Sequence, residues 1–499
     1  MTQDAMEPPA SAPRVAGLRR ALLAVARHPV WLVLALAVAF KAATLPSVSA
    51  EIVSDMAVYR PFAEYLMGLR PPLPESGLVE PAPGYSVYLA LMGRFVSLDN
   101  YHALVVPWSL LAILMPVALY LLFASGDAGR LPAFIASFGY YMAIKTLRHD
   151  AVASTETPAC GLIALLIVLA VVSRSGRAGW ARAMGWGVAM GAVAVCLTFI
   201  RPQYQLALVV LLLAAALSDA LPWLLRRVTG MPAPAGEPVP APLMRYGPLV
   251  VALVILTTAV QAWSLRNERV HGWRAFVPMA GFVNHAIAFA EAAQPRNEVQ
   301  AAIRAEMIRR RSLYGVANAM NRAHVEIAQR FGLRHGEYGR ELHAVCSDAL
   351  RRSSGPYIRA IVRNLALYFG STGDPLYGVG YPVYVSREMW PWRPFGQAAK
   401  WISDSRRMPE LAMLTAVLTA ATLIGFANSR RTLFAIFMAA GLVAYGALTA
   451  AAAENTDMAR YRTTVEWLWM GLFLWAATAV AQAVWQRQRP SRAVTEPFS

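Results

Sequence analysis

Charge is what this chain has least of. Only 15% of its 499 residues are Asp, Glu, Lys or Arg, where a soluble chain carries about a quarter. Acids are the scarcer sign, 29 against 46 basic residues, for a formal net charge of +17. Cysteine is scarcer still. Cys160 and Cys196 sit in apolar runs as small hydrophobes and only Cys346 falls in a polar segment, so no metal or redox spacing arises and an internal disulfide framework is excluded. No small-residue cleavage site follows a short apolar core at the start, so residues 1–28 read as a cytoplasmic tail before a retained first span. No internal repeat is visible. The basic excess does not point to nucleic acid. It is divided among short loops rather than gathered on one soluble face, and the positive-inside rule with anionic headgroups accounts for it.

Apolar residues, by contrast, make up 57% of the chain. They gather in runs of about 17–25, the length that crosses a hydrocarbon core. A backbone in lipid must satisfy its own hydrogen bonds, so such runs are helices. The fold class expected is therefore an all-α polytopic membrane protein with about ten transmembrane helices, near 30–48, 102–123, 131–147, 157–173, 183–200, 203–225, 246–264, 409–427, 432–452 and 464–485. Clusters of arginine at 19–27, 174–182, 226–245, 430–431 and 487–492 all fall on one side of this arrangement. That side is assigned to the cytoplasm. The organisation expected is a tail 1–28, a transmembrane core 29–264 with a first outer loop 49–101, an outer periplasmic domain 265–408, C-terminal transmembrane helices 409–485 and a cytoplasmic tail 486–499. Alanine-, arginine- and proline-rich usage suggests a GC-rich bacterium, so the membrane expected is a bacterial inner membrane with the site on its periplasmic face. The stretch 229–243 is Pro/Ala-rich and reads as a linker.

Loop 49–101 has its own pattern. Tyr59, Phe62, Leu66 and Leu69 recur at helical spacing until Pro71-Pro72, and Tyr85, Tyr88, Leu89, Met92 and Phe95 repeat it after Pro83-Gly84. Two short amphipathic helices in the interface are expected. The segment 265–408 carries polar helical stretches near 297–330 and 337–353.

A charge at membrane depth costs several kcal/mol unless solvated or paired, so each one needs a reason. The candidates share the outer face: Asp55; Arg148, His149, Asp150 and Glu156; Arg201; Arg266; Asp457, Arg460, Arg462 and Glu466. A carboxylate there can take a proton from an acceptor hydroxyl. Arginines can hold a phosphate through paired hydrogen bonds. At headgroup depth that phosphate can belong to a lipid carrier, and the chemistry is transfer of a sugar from lipid phosphate to an acceptor. The plainer reading of each charge is an ordinary headgroup contact.

Four patches carry a family resemblance: SDMAVYRPFAEYLMGLRPP with PAPGYSVYLALMGRF, then STETPACGLIALLIVLAV, then WSLRNERVHGWRAFVPMAGFVNH, and finally ARYRTTVEWLW. They resemble the membrane glycosyltransferases of the GT-C fold, in the branch of the protein O-mannosyltransferases and the lipid A aminoarabinose transferase. The resemblance implies that Asp55 takes the place of the family's essential acid, which activates the acceptor. Glu156, or Asp150 just before it, is the second acid. Arg266 matches the arginine at the carrier phosphate, helped by Arg60 and Arg460. Tyr59, Tyr85 and Arg201 are candidate sugar or lipid contacts, although the tyrosines serve equally as interface anchors. The family's first loop commonly has two adjacent acids, whereas here Ser54 precedes Asp55, which leaves protein hydroxyls open as acceptors.

The activity implied is inverting transfer of a hexosyl or pentosyl group from a polyprenyl-phosphate donor to a lipid, glycan or protein acceptor, with the membrane itself as a partner and no nucleic acid. No cofactor is assigned. A divalent metal beside Asp55 and Glu156 has no ligand-spacing motif behind it. Two other readings stand beside this one. A lipid-carrier polymerase or ligase would use a lipid-diphosphate donor and an outer histidine, for which His271, His285, His324 and His343 are available. A transporter or flippase would need midplane charges and inverted repeats. Only Lys41 approaches the former.

Overall fold

The computed structural model describes residues 28–45, 51–52, 56–70, 82–149, 152–174, 179–229, 242–277, 283–311, 325–370, 407–453 and 458–488, with single positions at 394, 397 and 401. The described residues are all-helical apart from one two-residue strand pair and the turns between elements. Among the described residues, eight helical stretches are long and apolar enough to cross a membrane: Tyr101–Ala124, Glu156–Ser173, Trp180–Ile200, Pro202–Val228, Met244–His271, Met408–Gly425, Arg430–Ala452 and Tyr461–Gln488.

The elements run in order as α1 (Pro29–Thr44), β1 (Glu51–Ile52), α2 (Met56–Leu66), α3 (Gly84–Met92), α4 (Tyr101–Leu111) and α5 (Leu114–Ala124). Next come α6 (Arg130–Ser137), α7 (Gly139–Met142), α8 (Ile144–His149), β2 (Val152–Ala153), α9 (Glu156–Ser173) and α10 (Trp180–Ile200). A 3₁₀ turn at Pro202–Tyr204 leads to α11 (Ala207–Thr229) and α12 (Pro242–His271). The helices of the segment 265–408 are α13 (Val283–Ala286), α14 (Glu298–Arg310), α15 (His335–Arg352) and α16 (Ser354–Gly370). The last three are α17 (Met408–Gly425), α18 (Arg430–Ala453) and α19 (Met458–Gln488).

Two of the ten expected spans differ from a plain membrane helix. α1 has 16 residues, about 24 Å of helix, short of a full crossing. The expected span 131–147 is three short helices, α6 to α8. The backbone leaves the helical region at Ala143, φ −82°, ψ 79°, and Gly139 just before it lies directly on the backbone of Gly471 in α19, where no Cβ would fit.

The bundle has two ends. At one, Arg174 at the end of α9, Asp219 of α11 and Arg245 of α12 meet, with Arg245 Nη1 2.5 Å from Asp219 Oδ2. Arg430 begins α18 at the same end, where Thr432 accepts the backbone N–H of Asp127. At the other end lie the start of α9, the end of α10 and the start of α19.

The loop 49–101 packs into a core of its own with the start of α4. Met56, Ala63, Tyr85, Leu89, Leu104 and Val105 are buried together with Ala153. Tyr59 of α2 and Tyr85 of α3 therefore meet inside the loop, while Tyr65, Leu66, Leu69, Val87, Leu91 and Phe95 stay exposed. Helices α13 to α15 form another cluster around Ile287, Ile303, Met307, Tyr338, Leu342 and Cys346. Asn297 caps α14 by accepting the Gln300 N–H at 2.8 Å. Burial in this cluster pushes the Cys346 thiol up to about 12. Asp348 on α15 is held well below the usual carboxylate range, first by the backbone N–H of Gln294 and then by Arg351 and Arg352.

Candidate functional site

Glu156 is the first residue of α9 and is fully buried. An acid in the first turn of a helix suits the positive end of the helix dipole, yet a carboxylate with no solvent needs a counter-charge. Arg201 supplies it. This residue terminates α10 in an extended conformation, with Pro202 preventing helix continuation. Its Nη1 lies 2.7 Å from Glu156 Oε1 and donates to Thr155 Oγ1 at 2.9 Å. The guanidinium also sits 5.3 Å over the Tyr461 ring.

The start of α19 closes the other side. Arg462 is 1% exposed and Glu466 3%, with Arg462 Nε 3.3 Å from Glu466 Oε1 one turn away. Arg462 Nη1 also donates to the Tyr368 carbonyl at the end of α16, at 2.8 Å. Tyr204, from the 3₁₀ turn, shares a hydrogen bond with Thr464. His149 joins through its carbonyl, which accepts from Thr157 Oγ1 at 2.7 Å, and its ring lies 3.4 Å from Thr463 Oγ1. Two acids and two arginines thus balance in charge at the non-arginine-rich end, brought from three places in the chain. Several buried polar atoms around them, Ser154 Oγ, Thr198 Oγ1 and the Tyr368 hydroxyl, have no hydrogen-bond partner among the described residues. Such atoms cost about 1–3 kcal/mol each when dry and mark room for water or a ligand.

The strand pair links this end to the first outer loop. β1 and β2 run parallel in the register Glu51 to Val152 and Ile52 to Ala153. Asp55 and Asp150 lie outside the described residues, as does the side chain of Arg460. The flanking positions do not: Ile52 pairs with Ala153, and Met56 is buried in the same cluster as Ala153. Three residues after Ala153 stands Glu156. A second link is Gly84 of the P-G-Y element, whose missing Cβ would come within 2.7 Å of the Phe199 carbonyl carbon and 2.8 Å of the Ile200 nitrogen. α3 therefore rests on the backbone of α10 immediately before Arg201.

Arg266 reaches the same end through packing. Its guanidinium lies 4.7 Å over the Trp263 ring, Trp263 meets Phe199 edge-on at 5.8 Å, and Arg266 Nη1 is 3.0 Å from Asn267 Oδ1 and 3.2 Å from His271 Nε2. Asn267 is buried and donates to the carbonyls of Ala275 and Phe276 at 2.8 and 3.1 Å, so the R-N pair fixes the exit of α12. Arg60 is engaged inside its own loop, 2.8 Å from Glu64, 2.7 Å from Asp99 and 3.1 Å from the Tyr101 hydroxyl. The hydrogen bond to Glu64, then that to Asp99, raises its pKa. Tyr59 and Tyr85 meet edge-on at 5.2 Å, and Tyr85 is only 1% exposed, which makes its ring a core element of the loop.

Sequence reasoning placed Arg462, Glu466 and His149 at the outer face without a role. Tyr204, Thr464 and Tyr368 were not singled out. The polar R-P-Q-Y break between two apolar runs was the available signal for Tyr204. Of the four outer histidines, His285 is buried and donates to the Ala451 carbonyl at 2.9 Å, His343 lies edge-on to Trp273 at 5.7 Å, and His324 is outside the described residues. Among the described residues, no three His, Cys, Asp or Glu side chains gather as a metal ion would require.

No protein-family model matches the chain, and no curated protein does. Solved structures similar to it include the following two. The archaeal oligosaccharyltransferase AglB from Archaeoglobus fulgidus, in complex with an inhibitory peptide and a dolichol-phosphate, matches with a TM-score of 0.49 at 12% identity, over 95% of this chain and 53% of that one. The chain thus spans about half the length of that protein. ArnT from Cupriavidus metallidurans in the apo state matches with a TM-score of 0.31 at 14% identity, over 91% of this chain and 78% of that one. At this level of likeness, what the chain does is read from its own residues.

Proposed function

We propose that the chain is a membrane glycosyltransferase of GT-C type, moving a sugar from a polyprenyl-phosphate carrier to an acceptor hydroxyl or phosphate at the outer face of a bacterial inner membrane. The observation that carries this reading is the meeting of two acid-bearing segments. The β1–β2 pair lays the start of the first outer loop, with Asp55 three residues on, beside the strand that ends three residues before Glu156.

In this reading Asp55 takes the proton from the acceptor hydroxyl as its oxygen attacks the anomeric carbon. The new carbon–oxygen bond forms as the bond to the carrier phosphate breaks on the opposite face, so the configuration inverts. The electron pair leaves with the phosphate, which becomes a monoester and needs no strong general acid. Arg266 stabilises the growing charge by a preorganised positive field. Glu156, paired with Arg201, orients acceptor or sugar. Most of the rate gain comes from holding both substrates at one membrane surface. The test is transfer of lipid-linked radiolabelled sugar in membranes carrying Asp55→Asn. Loss of about 10²–10⁴-fold is expected for a positioned base, and near-wild-type transfer removes Asp55 from the mechanism.

A further inference from the structure

α16 is unlike the other outer helices. One face is buried: the Tyr357 hydroxyl donates to the Ala452 carbonyl at 2.9 Å, and the Asn364 amide meets His285 at 3.0 Å. Tyr368 is fully buried and its hydroxyl lies 3.5 Å from where a Cβ on Gly446 would be. Along α16 the contacts therefore descend α18 from Ala452 to Gly446. Six residues of helix correspond to about 9 Å. Phe369 then meets Trp469 of α19 edge-on at 5.3 Å, and Trp469 donates to Thr415 of α17. Arg430–Ala452 is one of the apolar stretches able to cross a membrane, so α16 slants into the depth of that span's last turns.

Its other face is open and mixed. Ile358, Val362 and Leu367 are 59%, 61% and 45% exposed. Arg359 and Arg363 are exposed on the same side, one helical turn apart, with no ion-pair partner among the described residues. The neighbouring α17 continues the apolar surface with Met413, Leu414 and Val417. Apolar side chains at that depth meet acyl chains, and Arg359 and Arg363, interleaved with Ile358 and Val362 and above Leu367 along the helix, extend long side chains back to the headgroup phosphates.

We infer that α16 is an interfacial helix that binds an acidic phospholipid of the leaflet on Glu156's side, with Arg359 and Arg363 on the lipid phosphate and Ile358, Val362 and Leu367 among its chains. The occupant follows from charge complementarity and from continuity with the lipid-facing surface of α17. Because the Tyr368 carbonyl of the same helix holds Arg462, lipid bound on α16 bears on the geometry of the buried charge cluster.

The test uses the full chain in nanodiscs of phosphatidylcholine with phosphatidylglycerol and no sugar donor, so its outcome is independent of the transferase reading. Native mass spectrometry of the released protein is expected to show retained phosphatidylglycerol in the wild type and, in the double variant Arg359→Gln/Arg363→Gln, a fall on the order of tenfold, with phosphatidylcholine unchanged. Unchanged phosphatidylglycerol overturns the proposal, as does equal loss of both lipids, which would mean a damaged helix rather than lost phosphate recognition. A spin label at Val362→Cys, in a Cys196→Ser background, is expected to be more accessible to oxygen than to a water-soluble nickel chelate. The reverse order overturns the proposal and gives the face to a soluble partner.

Discussion

Replacing Arg201 by methionine tests the buried pair directly. The side chains of Glu156 and Arg201 are 0% and 8% exposed, so removing one partner strands the other's charge. Stranding a buried charge costs about 3–5 kcal/mol, a factor of roughly 10² to 10⁴ in the ratio of folded to unfolded protein. Replacing both, as Glu156→Leu with Arg201→Met, removes both desolvation costs and is expected to come within about 1–2 kcal/mol of the wild type, the residue being the lost donor to Thr155 Oγ1. The two single variants and the double form a cycle whose coupling should be several kcal/mol. Reversible unfolding of the bicelle-embedded protein measures it, alongside sugar transfer in membranes. The expected pattern is two unstable singles and a stable double that does not transfer. A single variant as stable as the wild type would refute the burial argument, as would a double that loses the sum of the singles. A stable double with full transfer would make the pair structural only.

Gly84→Val places a branched side chain against the backbone of Phe199 and Ile200, an overpacking cost of about 1–3 kcal/mol. Because this contact joins the first outer loop to α10, transfer should fall and limited proteolysis within loop 49–101 should quicken, while the melt of the bundle shifts little. Asp348 gives a pH dependence. Its folded pKa lies below its unfolded value, so it adds stability above about pH 4, lost as pH falls toward the depressed folded value. Asp348→Asn should remove that acid-sensitive part of outer-helix stability, read by hydrogen exchange of residues 335–352 at several pH values. Asn267→Leu leaves the carbonyls of Ala275 and Phe276 without their donor and should loosen the exit of α12, measured as faster exchange of residues 267–277.

The long apolar runs were legible because membrane helices announce themselves by length alone. The common end of Glu156, Arg201, Arg266 and Arg462 was legible too, since charges are expelled to the ends of such runs. The break at 131–147 was not, because hydropathy averages over Gly139 and cannot see Gly471 some 330 positions away. Nor could sequence show that Glu156 chooses Arg201 rather than any other outer arginine, a choice made by the backbone turn at Pro202. The aromatic residues of loop 49–101 had a readable period, but period does not say whether a ring faces lipid, sugar or another ring. Tyr85 faces Tyr59.

The hydrogen bond between Tyr204 and Thr464 spans 260 residues. During synthesis at about 5–20 residues per second, the 3₁₀ turn waits roughly 10–50 s for its partner. Arg201 waits as long for the ring of Tyr461. The charge cluster can therefore close only when α19 arrives, and for that interval Glu156 and Arg201 stand as an ion pair without a lid. A biogenesis factor that shelters polar groups in nascent membrane helices would find its client in that interval, in chains halted before Tyr461.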